Sequence, residues 1–208
     1  MPPRQLPRMR NPRPGEWLSE KLSQQYVGDY KPFVFVDGEG VRCSLYLSGC
    51  LFACEGCFNE ATWNFRYGQV YSRKLEDEIL ADLNQEYVQG LTLLGGEPFL
   101  NTAVCLALLD RVHRELGTSK DVWCWTGYTF DELLLESADK LALLGSIDVL
   151  IDGRFELAKR DLKLQFRGSS NQRLIDVKAS LGSGRVTLWG GIKDATSTFE
   201  QIEKRDLI

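Results

Sequence analysis

Three cysteines, Cys50, Cys54 and Cys57, lie within eight positions of this chain in the spacing C-x3-C-x2-C. No fourth cysteine or histidine follows at ligand distance. A closed tetrahedral zinc site needs four nitrogen or sulfur ligands, whereas a [4Fe–4S] cube held by three thiolates keeps one iron without a protein ligand. Because a small chelating molecule can bind that open iron, the spacing predicts a reactive cluster rather than a structural clip.

A zinc site stays open as an alternative, because a remote side chain could supply the fourth ligand. The candidates are Cys43, Cys105, Cys124 and His113. We expect Cys43, Cys105 and Cys124 to be packing residues, since they fall within predicted strands or a helix. We expect His113, the only histidine, to lie on a helix surface. No catalytic side chain is therefore predicted, and the chemistry must belong to a bound cofactor.

The second motif is Gly95-Gly96-Glu97-Pro98, which follows the apolar run 91–94. The run predicts a buried parallel strand, and the glycines predict a turn at its carboxyl end. In parallel α/β folds this end is where ligands bind. Two glycines expose backbone N–H and C=O groups to a ligand, and Glu97 offers a carboxylate suited to an ammonium group. Taken alone, the motif is also compatible with an ordinary strand-to-helix turn.

Together, the two motifs resemble the signature of the radical S-adenosylmethionine enzymes. Other stretches resemble a narrower group, the activating proteins of anaerobic ribonucleoside-triphosphate reductases. These stretches are residues 48–50 (SGC), 54–59 (CEGCFN), 125–128 (WTGY), 152–155 (DGRF) and 167–173 (RGSSNQR). The resemblance runs in order from about residue 15 to about residue 189, which is most of the chain.

The resemblance implies a [4Fe–4S] cluster held by the three cysteines, with S-adenosylmethionine chelating the open iron. Gly95, Gly96 and Glu97 are then expected to bind the methionine end of that cofactor. Thr126 is expected to contact the methionine carboxylate or the ribose, although it could be a plain turn residue before Gly127.

Two further cofactor contacts are expected beside the third cysteine. Gly56 permits close approach of the backbone to a bulky ligand, and Phe58 is expected to stack on the adenine. Many members of the wider superfamily place the aromatic residue just before the third cysteine, where this chain has Gly56.

Asp152 and Arg154 either face the same site or form a surface ion pair. The segment 167–173 either binds a ligand or partner or is a plain loop.

The implied activity is reductive cleavage of S-adenosylmethionine, followed by formation of a glycyl radical on the large subunit of the reductase. A flavodoxin or ferredoxin-like protein is implied as the electron donor, in anaerobic cytoplasm. One alternative is a radical S-adenosylmethionine enzyme acting on a small molecule such as a deazapurine precursor. Another is a non-catalytic zinc or electron-transfer module, which has no need of the second motif.

Composition sets the wider limits. The 208 residues carry a formal net charge of −4, which argues against a general nucleic-acid binder. No apolar run is long enough to span a bilayer, and the N-terminus lacks the apolar stretch of a signal peptide. Residues 1–14 hold five prolines and four arginines and no acidic residue, which predicts a disordered basic tail. Residues 15–208 are expected to form a single radical S-adenosylmethionine domain.

Strands and helices alternate beyond the tail, which predicts an α/β fold with a mainly parallel sheet. The chain is too short for an eight-unit barrel of about 250 residues, so we expect a partial, open barrel. Strands are predicted at 33–36, 41–47, 91–94, 122–125 and 147–151. Asn101 is expected to cap the helix after the second motif, and residues 174–189 are expected to form a hairpin.

Overall fold

The computed structural model describes residues 9–194. The strands are β1 (Tyr26–Val34), β2 (Val41–Leu47), β3 (Gln69–Val70), β4 (Val88–Gly95), β5 (Asp121–Trp125), β6 (Val149–Asp152) and β7 (Arg173–Asp176). The α-helices are α1 (Ser19–Leu22), α2 (Arg73–Leu83), α3 (Thr102–Leu116), α4 (Phe130–Leu133), α5 (Ala138–Gly145) and α6 (Val177–Ser183). Short 3-10 turns cover Glu60–Trp63, Pro98–Leu100 and Leu157–Lys159.

The seven strands form one open sheet in the order β3-β1-β2-β4-β5-β6-β7. The three central pairs, β2–β4, β4–β5 and β5–β6, are parallel. The three outer pairs, β1–β2, β1–β3 and β6–β7, are antiparallel. The expected open α/β sheet is thus confirmed, with parallel pairing in its middle and antiparallel pairing at both edges. The barrel-like curvature stays a prediction.

Helices α2 and α3 show how the sequence builds the layer that covers the sheet. Helix α2 begins where the Ser72 hydroxyl accepts a hydrogen bond from the Leu75 N–H, which satisfies one of the free donors of the first turn. Apolar residues then recur at helical spacing, and those on one face are fully or almost fully buried. They are Leu75, Ile79 and Leu83 on α2, and Val104, Leu108 and Val112 on α3.

The C-terminal hairpin expected at 174–189 is not formed as predicted, because a helix separates its two arms. Strand β7 pairs antiparallel with β6, but the chain then turns into helix α6. The helix begins there because the Asp176 carboxylate accepts a hydrogen bond from the Ala179 N–H. Gly184 has a φ of +67° and ends the helix. After α6 the chain returns beside β7 through an antiparallel bridge between Ile175 and Leu188. The Asp176 N–H donates to the Thr187 carbonyl and the Trp189 N–H to the Leu174 carbonyl, both at 2.9 Å.

The first strand also differs from the expectation, because β1 covers Tyr26–Val34 rather than 33–36. Phe35 and Val36 follow the strand and are 70% and 73% exposed. Their apolar, β-branched and aromatic character suggested a strand, but they lie at the turn between β1 and β2. Local propensity is outweighed there by the longer pairing of β1 with β2.

The predicted disordered tail, residues 1–14, lies mostly outside the described residues. Its described part, residues 9–14, forms neither helix nor strand. Disorder of the tail and a single domain at 15–208 both stay predictions. Within residues 9–194, none of the helices has the length and apolar character that crossing a membrane requires.

Candidate cluster and cofactor site

A cavity of about 500 Å³ lies at the carboxyl ends of the parallel strands. This volume is within the usual range for ligand pockets, roughly 300–1,000 Å³. The cavity lies where parallel sheets bind ligands, because the chain leaves each strand there and loops replace the ladder. Of the expected site residues, those that line it are Cys50, Cys54, Cys57, Phe58, Gly95, Gly96, Glu97 and Thr126.

The two sequence motifs are held together by the register of β2 and β4, which pairs Leu47 with Gly95. The Gly96 N–H donates to the Leu47 carbonyl at 2.8 Å, and the Glu97 N–H donates to the Gly49 carbonyl at 2.9 Å. Gly96 packs so closely that a Cβ there would lie 2.7 Å from the Gly49 oxygen. The second motif is therefore in direct contact with the backbone that leads into Cys50.

Asn101 strengthens this junction instead of capping α3 as expected. Its side-chain amide donates to the Ser48 carbonyl at 3.0 Å and to the Glu97 carbonyl at 3.1 Å. The first N–H of the helix, on Thr102, donates to the Ser19 hydroxyl of α1. Asn101 therefore ties the start of the cluster loop, residues 48–59, to the turn that carries Glu97.

The three cysteines differ in their surroundings. Cys54 is buried, while Cys50 and Cys57 are partly buried. Burial raises the pKa of the Cys50 thiol, and the nearby Glu97 carboxylate raises it further. Burial also raises the pKa of the Cys54 thiol. A bound metal centre would offset the free-energy cost of ionising these buried thiols, because it binds the thiolate form directly.

A [4Fe–4S] cluster fits this donor set better than a single metal ion does. No three His, Cys, Asp or Glu side chains within residues 9–194 lie close enough together to hold one ion. A cube carries its irons at separate corners, so three thiolates can bind it from wider positions along one cavity wall. The Asn59 N–H donates to the Cys57 sulfur at 3.4 Å, a bond that stabilises a thiolate.

The remote ligands of the zinc alternative lie away from the cavity. Cys43, Cys105 and Cys124 are fully buried and do not line it, as expected of packing residues. His113 lies exposed on α3, as expected of a surface residue. These four residues give no support to a closed zinc site.

Glu97 is the most deeply buried charged group of the cavity wall, with 1% of its surface exposed. It accepts hydrogen bonds from the Phe99 N–H at 3.0 Å and from the Gly127 N–H at 2.8 Å. It also accepts one from the Thr126 hydroxyl at 2.8 Å. Burial raises its pKa to about 7, although the three donors and Lys140 oppose the shift. These three donors use two acceptor positions of Oε1 and one of Oε2, and a carboxylate has about four.

Thr126 points its hydroxyl at Glu97, and the same oxygen accepts from the Tyr128 N–H at 3.0 Å. Its hydrogen is already used, so a direct bond from Thr126 to a cofactor would need the hydroxyl to turn. The residue lines the cavity as expected. Its contact with S-adenosylmethionine stays a prediction, and its observed partner is Glu97.

Phe58 lies at the cavity with 66% of its surface exposed. Its ring is 5.6 Å from that of Phe155, edge to face, and 5.5 Å from the Arg160 guanidinium. Gly56 has a φ of +73°, which favours glycine. It does not line the cavity, and a Cβ there would lie 3.1 Å from Leu157. Both assignments to cofactor binding stay predictions.

Two polar side chains of residues 167–173, those of Gln172 and Asn171, bind the protein's own backbone. Gln172 accepts from the N–H groups of Gly168 and Ser169 and donates to the Gly153 carbonyl. Asn171 donates to the Arg154 carbonyl at 2.8 Å. These hydrogen bonds therefore fix the loop after β6, which forms part of the cavity wall.

Asp152 and Arg154 do not pair with each other. Asp152 is buried and binds Arg173 and the Phe130 N–H. Arg154 forms a two-pronged bond with Glu132 at 2.8 and 3.0 Å. Both of these ion pairs connect the end of β6 to its neighbours rather than forming an isolated surface pair.

Sequence reasoning assigned no role in the site to several residues that line the cavity, among them Asp37, Tyr46 and Phe155. The Tyr46 hydroxyl donates to the Asp37 carboxylate at 2.9 Å. Phe155 could have been found from its place directly after β6, at the same edge of the sheet as the other motifs. Asp37 lies in the turn between β1 and β2, and no local pattern marks it.

Comparison with known proteins agrees with this geometry. The sequence model of a family described as "4Fe-4S single cluster domain" matches residues 36–175. A protein of Pasteurella multocida, named "Anaerobic ribonucleoside-triphosphate reductase-activating protein", is 47% identical over 147 residues. That match covers 69% of this chain and 92% of the relative. Proteins of the same name from Escherichia coli K12 and phage T4 are 42% and 41% identical, with 93% and 88% of their lengths covered. This chain belongs to the 4Fe-4S single cluster domain family and to the anaerobic ribonucleoside-triphosphate reductase-activating proteins.

Proposed function

We propose that this protein activates an anaerobic ribonucleoside-triphosphate reductase by generating a glycyl radical on its large subunit. The observation that carries the proposal is the single cavity wall shared by Cys50, Cys54, Cys57 and Glu97. This chain covers about nine-tenths of the length of its relatives, and their names support the same activity.

The chain's own residues divide the work of holding two cofactors. The three cysteines would hold a [4Fe–4S] cluster, and Gly95, Gly96 and Glu97 would hold the methionine end of S-adenosylmethionine. When bound and reduced, the cluster would supply the electron for reductive cleavage of S-adenosylmethionine, the chemistry needed to generate a glycyl radical on the reductase. The protein provides no acid or base for this chemistry; it orients the reactants and controls solvent.

Glu97 is suited to select a cation. Its carboxylate is held on three sides by Phe99, Gly127 and Thr126, with one acceptor position of Oε2 not used by these donors. An ammonium group at that position would favour the ionised form of a carboxyl whose pKa burial has raised to about 7. Binding of the ligand therefore offsets the cost of burying this charge.

Phe58 and the edge-to-face Phe155 would form the adenine-binding part of the cavity. Both rings line the cavity, and aromatic stacking holds a purine without depending on hydrogen-bond geometry. We further propose that the sheet curls as a partial barrel around the cavity. The proposal also includes a flavodoxin or ferredoxin-like electron donor and a location in anaerobic cytoplasm. It gives nucleic acid no role.

The test is electron paramagnetic resonance of anaerobically reconstituted protein, reduced together with S-adenosylmethionine and the large subunit of the reductase. A doublet from a glycyl radical on the partner is expected, and the Cys54→Ala variant should give none. Cleavage of S-adenosylmethionine without the doublet would instead favour a small-molecule substrate such as a deazapurine precursor. Absence of both iron and cleavage in correctly folded protein would contradict the proposal.

A further inference from the structure

Phe52 lies between Cys50 and Cys54 in the cluster loop and is 1% exposed. Its ring is surrounded by three groups from distant parts of the chain. The Trp17 and Tyr128 rings each meet it edge to face at 5.0 Å, and the Arg154 guanidinium lies 4.7 Å from its centre. Gly127 packs against it so closely that a Cβ there would overlap the ring.

The backbone beside Phe52 needs such support. Ala53 has a φ of +51°, in the left-handed region that residues with a Cβ rarely adopt. This conformation brings the Cβ of a non-glycine residue close to the following carbonyl oxygen and is strained. It persists only where the surrounding structure enforces it. Because Ala53 directly precedes Cys54, its conformation helps set the direction of that thiol.

The N-terminal segment, residues 10–17, also contacts Phe52. The Arg10 N–H donates to the Phe52 carbonyl at 3.1 Å. The Arg10 guanidinium lies 5.4 Å from the Trp17 ring, which is 3% exposed. The Gly15 N–H donates to the Glu136 carboxylate at 3.3 Å. This segment lies outside residues 36–175, the part of the chain that the family model matches.

Glu136 connects this segment to the other ring that holds Phe52. It forms a fully buried ion pair with Lys140 at 2.9 Å. The Lys140 ammonium also donates to the Tyr128 hydroxyl at 3.0 Å. A buried ion pair with additional hydrogen bonds has a fixed geometry, since breaking it would leave a buried charge without a partner. Trp17, Tyr128 and the Lys140–Glu136 pair thus form one rigid support around Phe52.

We propose that Phe52 is the positioning residue of the cluster loop and that the N-terminal segment is a working part of the site, because it holds Phe52 through Trp17 and Arg10. The proposal rests on the proposed function only in taking Cys50, Cys54 and Cys57 as cluster ligands. Trp17 and Arg10 act by restricting the loop between Cys50 and Cys54.

The decisive experiment measures alkylation of the thiols in the cluster-free, reduced, full-length protein, cysteine by cysteine. Buried thiols react through local opening, so the rate reports how firmly the loop is held. Trp17→Leu removes the ring that supports Phe52, whereas Trp17→Phe keeps an aromatic edge. We expect Trp17→Leu to speed alkylation of Cys50 and Cys54 about tenfold relative to Cys57, given the size of an edge-to-face contact. Trp17→Phe should restore most of the protection.

Leu83→Ala on α2 is the matched control, since it removes buried apolar volume away from the cavity. It should lower the urea midpoint without changing the ratio of Cys50 and Cys54 rates to the Cys57 rate. After anaerobic reconstitution, Trp17→Leu should hold less iron per chain and give an altered spectrum of the reduced cluster. Equal ratios and equal spectra for Trp17→Leu and wild type would overturn the proposal.

A second pair of variants keeps the test decisive if Trp17→Leu does not fold. Arg10→Pro removes the N–H that donates to Phe52, and Arg10→Ala keeps it while losing the same side chain. Faster alkylation of Cys54 in Arg10→Pro than in Arg10→Ala supports the proposal, and equal rates overturn it. These thiol rates need neither S-adenosylmethionine nor the reductase, so a missing glycyl radical in wild type would refute the proposed function independently.

Discussion

The Thr126 hydroxyl donates a hydrogen bond of 2.8 Å to Glu97 Oε1 and joins the carboxyl ends of β5 and β4. The next residue, Gly127, donates its N–H to Oε2 at the same distance. One carboxylate is therefore held by two consecutive residues of the neighbouring strand end. This contact sets the position of the group that is proposed to bind the cofactor's ammonium.

Replacing Thr126 by valine should weaken the folded state most where Glu97 is ionised. A hydrogen bond to a charged group contributes about 1.5–3 kcal/mol, so a loss of about that size is expected in urea unfolding at pH 8. The loss should be smaller at pH 5.5, where the carboxyl is protonated. Thr102→Val, which removes a buried hydroxyl that donates to the partly buried carboxylate of Asp139, is the control. An equal loss at both pH values for Thr126→Val would contradict this account.

Stability of the cluster-free protein should fall as the pH rises from about 5 to about 7. The pKa of Glu97 is about 7 in the folded chain and 4.5 as its ordinary value. Between these values the folded chain binds more protons than the unfolded chain, so the free energy of unfolding decreases with pH. Its contribution is complete below the unfolded pKa and is lost as the pH passes through the folded one.

Glu97→Gln should flatten this part of the stability profile, measured by urea unfolding at several pH values. Glu55→Gln, which changes an exposed carboxylate of the cluster loop, should keep the wild-type slope. A slope that survives in Glu97→Gln would assign the titration to another group.

Single changes of Cys50, Cys54 or Cys57 to alanine should abolish the visible iron–sulfur absorption and the cleavage of S-adenosylmethionine. A cube that has only two protein thiolates loses a ligand to a second iron. Cys105→Ala, which removes a fully buried thiol outside the cavity, should leave both properties intact. Full iron content and full activity in Cys54→Ala would show that the ligand assignment is wrong.

Gly96→Ala should lower iron incorporation as well as binding of S-adenosylmethionine. The sequence alone predicts that Gly96 contacts the cofactor, so a larger side chain there would weaken only the binding of S-adenosylmethionine. In the structure, a Cβ would press on the backbone of Gly49, the residue before Cys50. Gly145→Ala, which meets nothing within 4 Å, is the control. Normal iron content in Gly96→Ala would show that the cluster loop can move aside.

Phe58→Leu should raise the dissociation constant of S-adenosylmethionine about tenfold, from the size of aromatic stacking on a purine. Iron content should not change, because the side chain is exposed and follows the last cysteine. Phe35→Leu replaces another exposed aromatic residue that does not line the cavity and should bind as wild type does. Equal affinity in Phe58→Leu would move the adenine site to another ring, with Phe155 the nearest candidate.

The sequence by itself determined the chemistry of the site and the class of fold. The cysteine spacing and the glycine-rich turn are local patterns, and each needs only a few neighbouring residues to be recognised. Alternation of apolar runs with helical periodicity likewise predicted a parallel sheet, whose carboxyl edge collects the loops. Seven of the eight cavity-lining site residues lie within ten positions of one of these two motifs.

Only the tertiary structure decided how these groups are held. The bond between Thr126 and Glu97 spans 29 positions, and the contact between Trp17 and Phe52 joins the N-terminal segment to the cluster loop. Such contacts arise from strand register and core packing, which leave no periodic trace in the chain. The same reason explains why a hairpin was predicted at 174–189 where the structure has helix α6, because Asp176, which caps the helix, and Gly184, which ends it, look locally like turn residues. Side-chain types fixed what the site can bind, and packing at a distance fixed where each side chain lies.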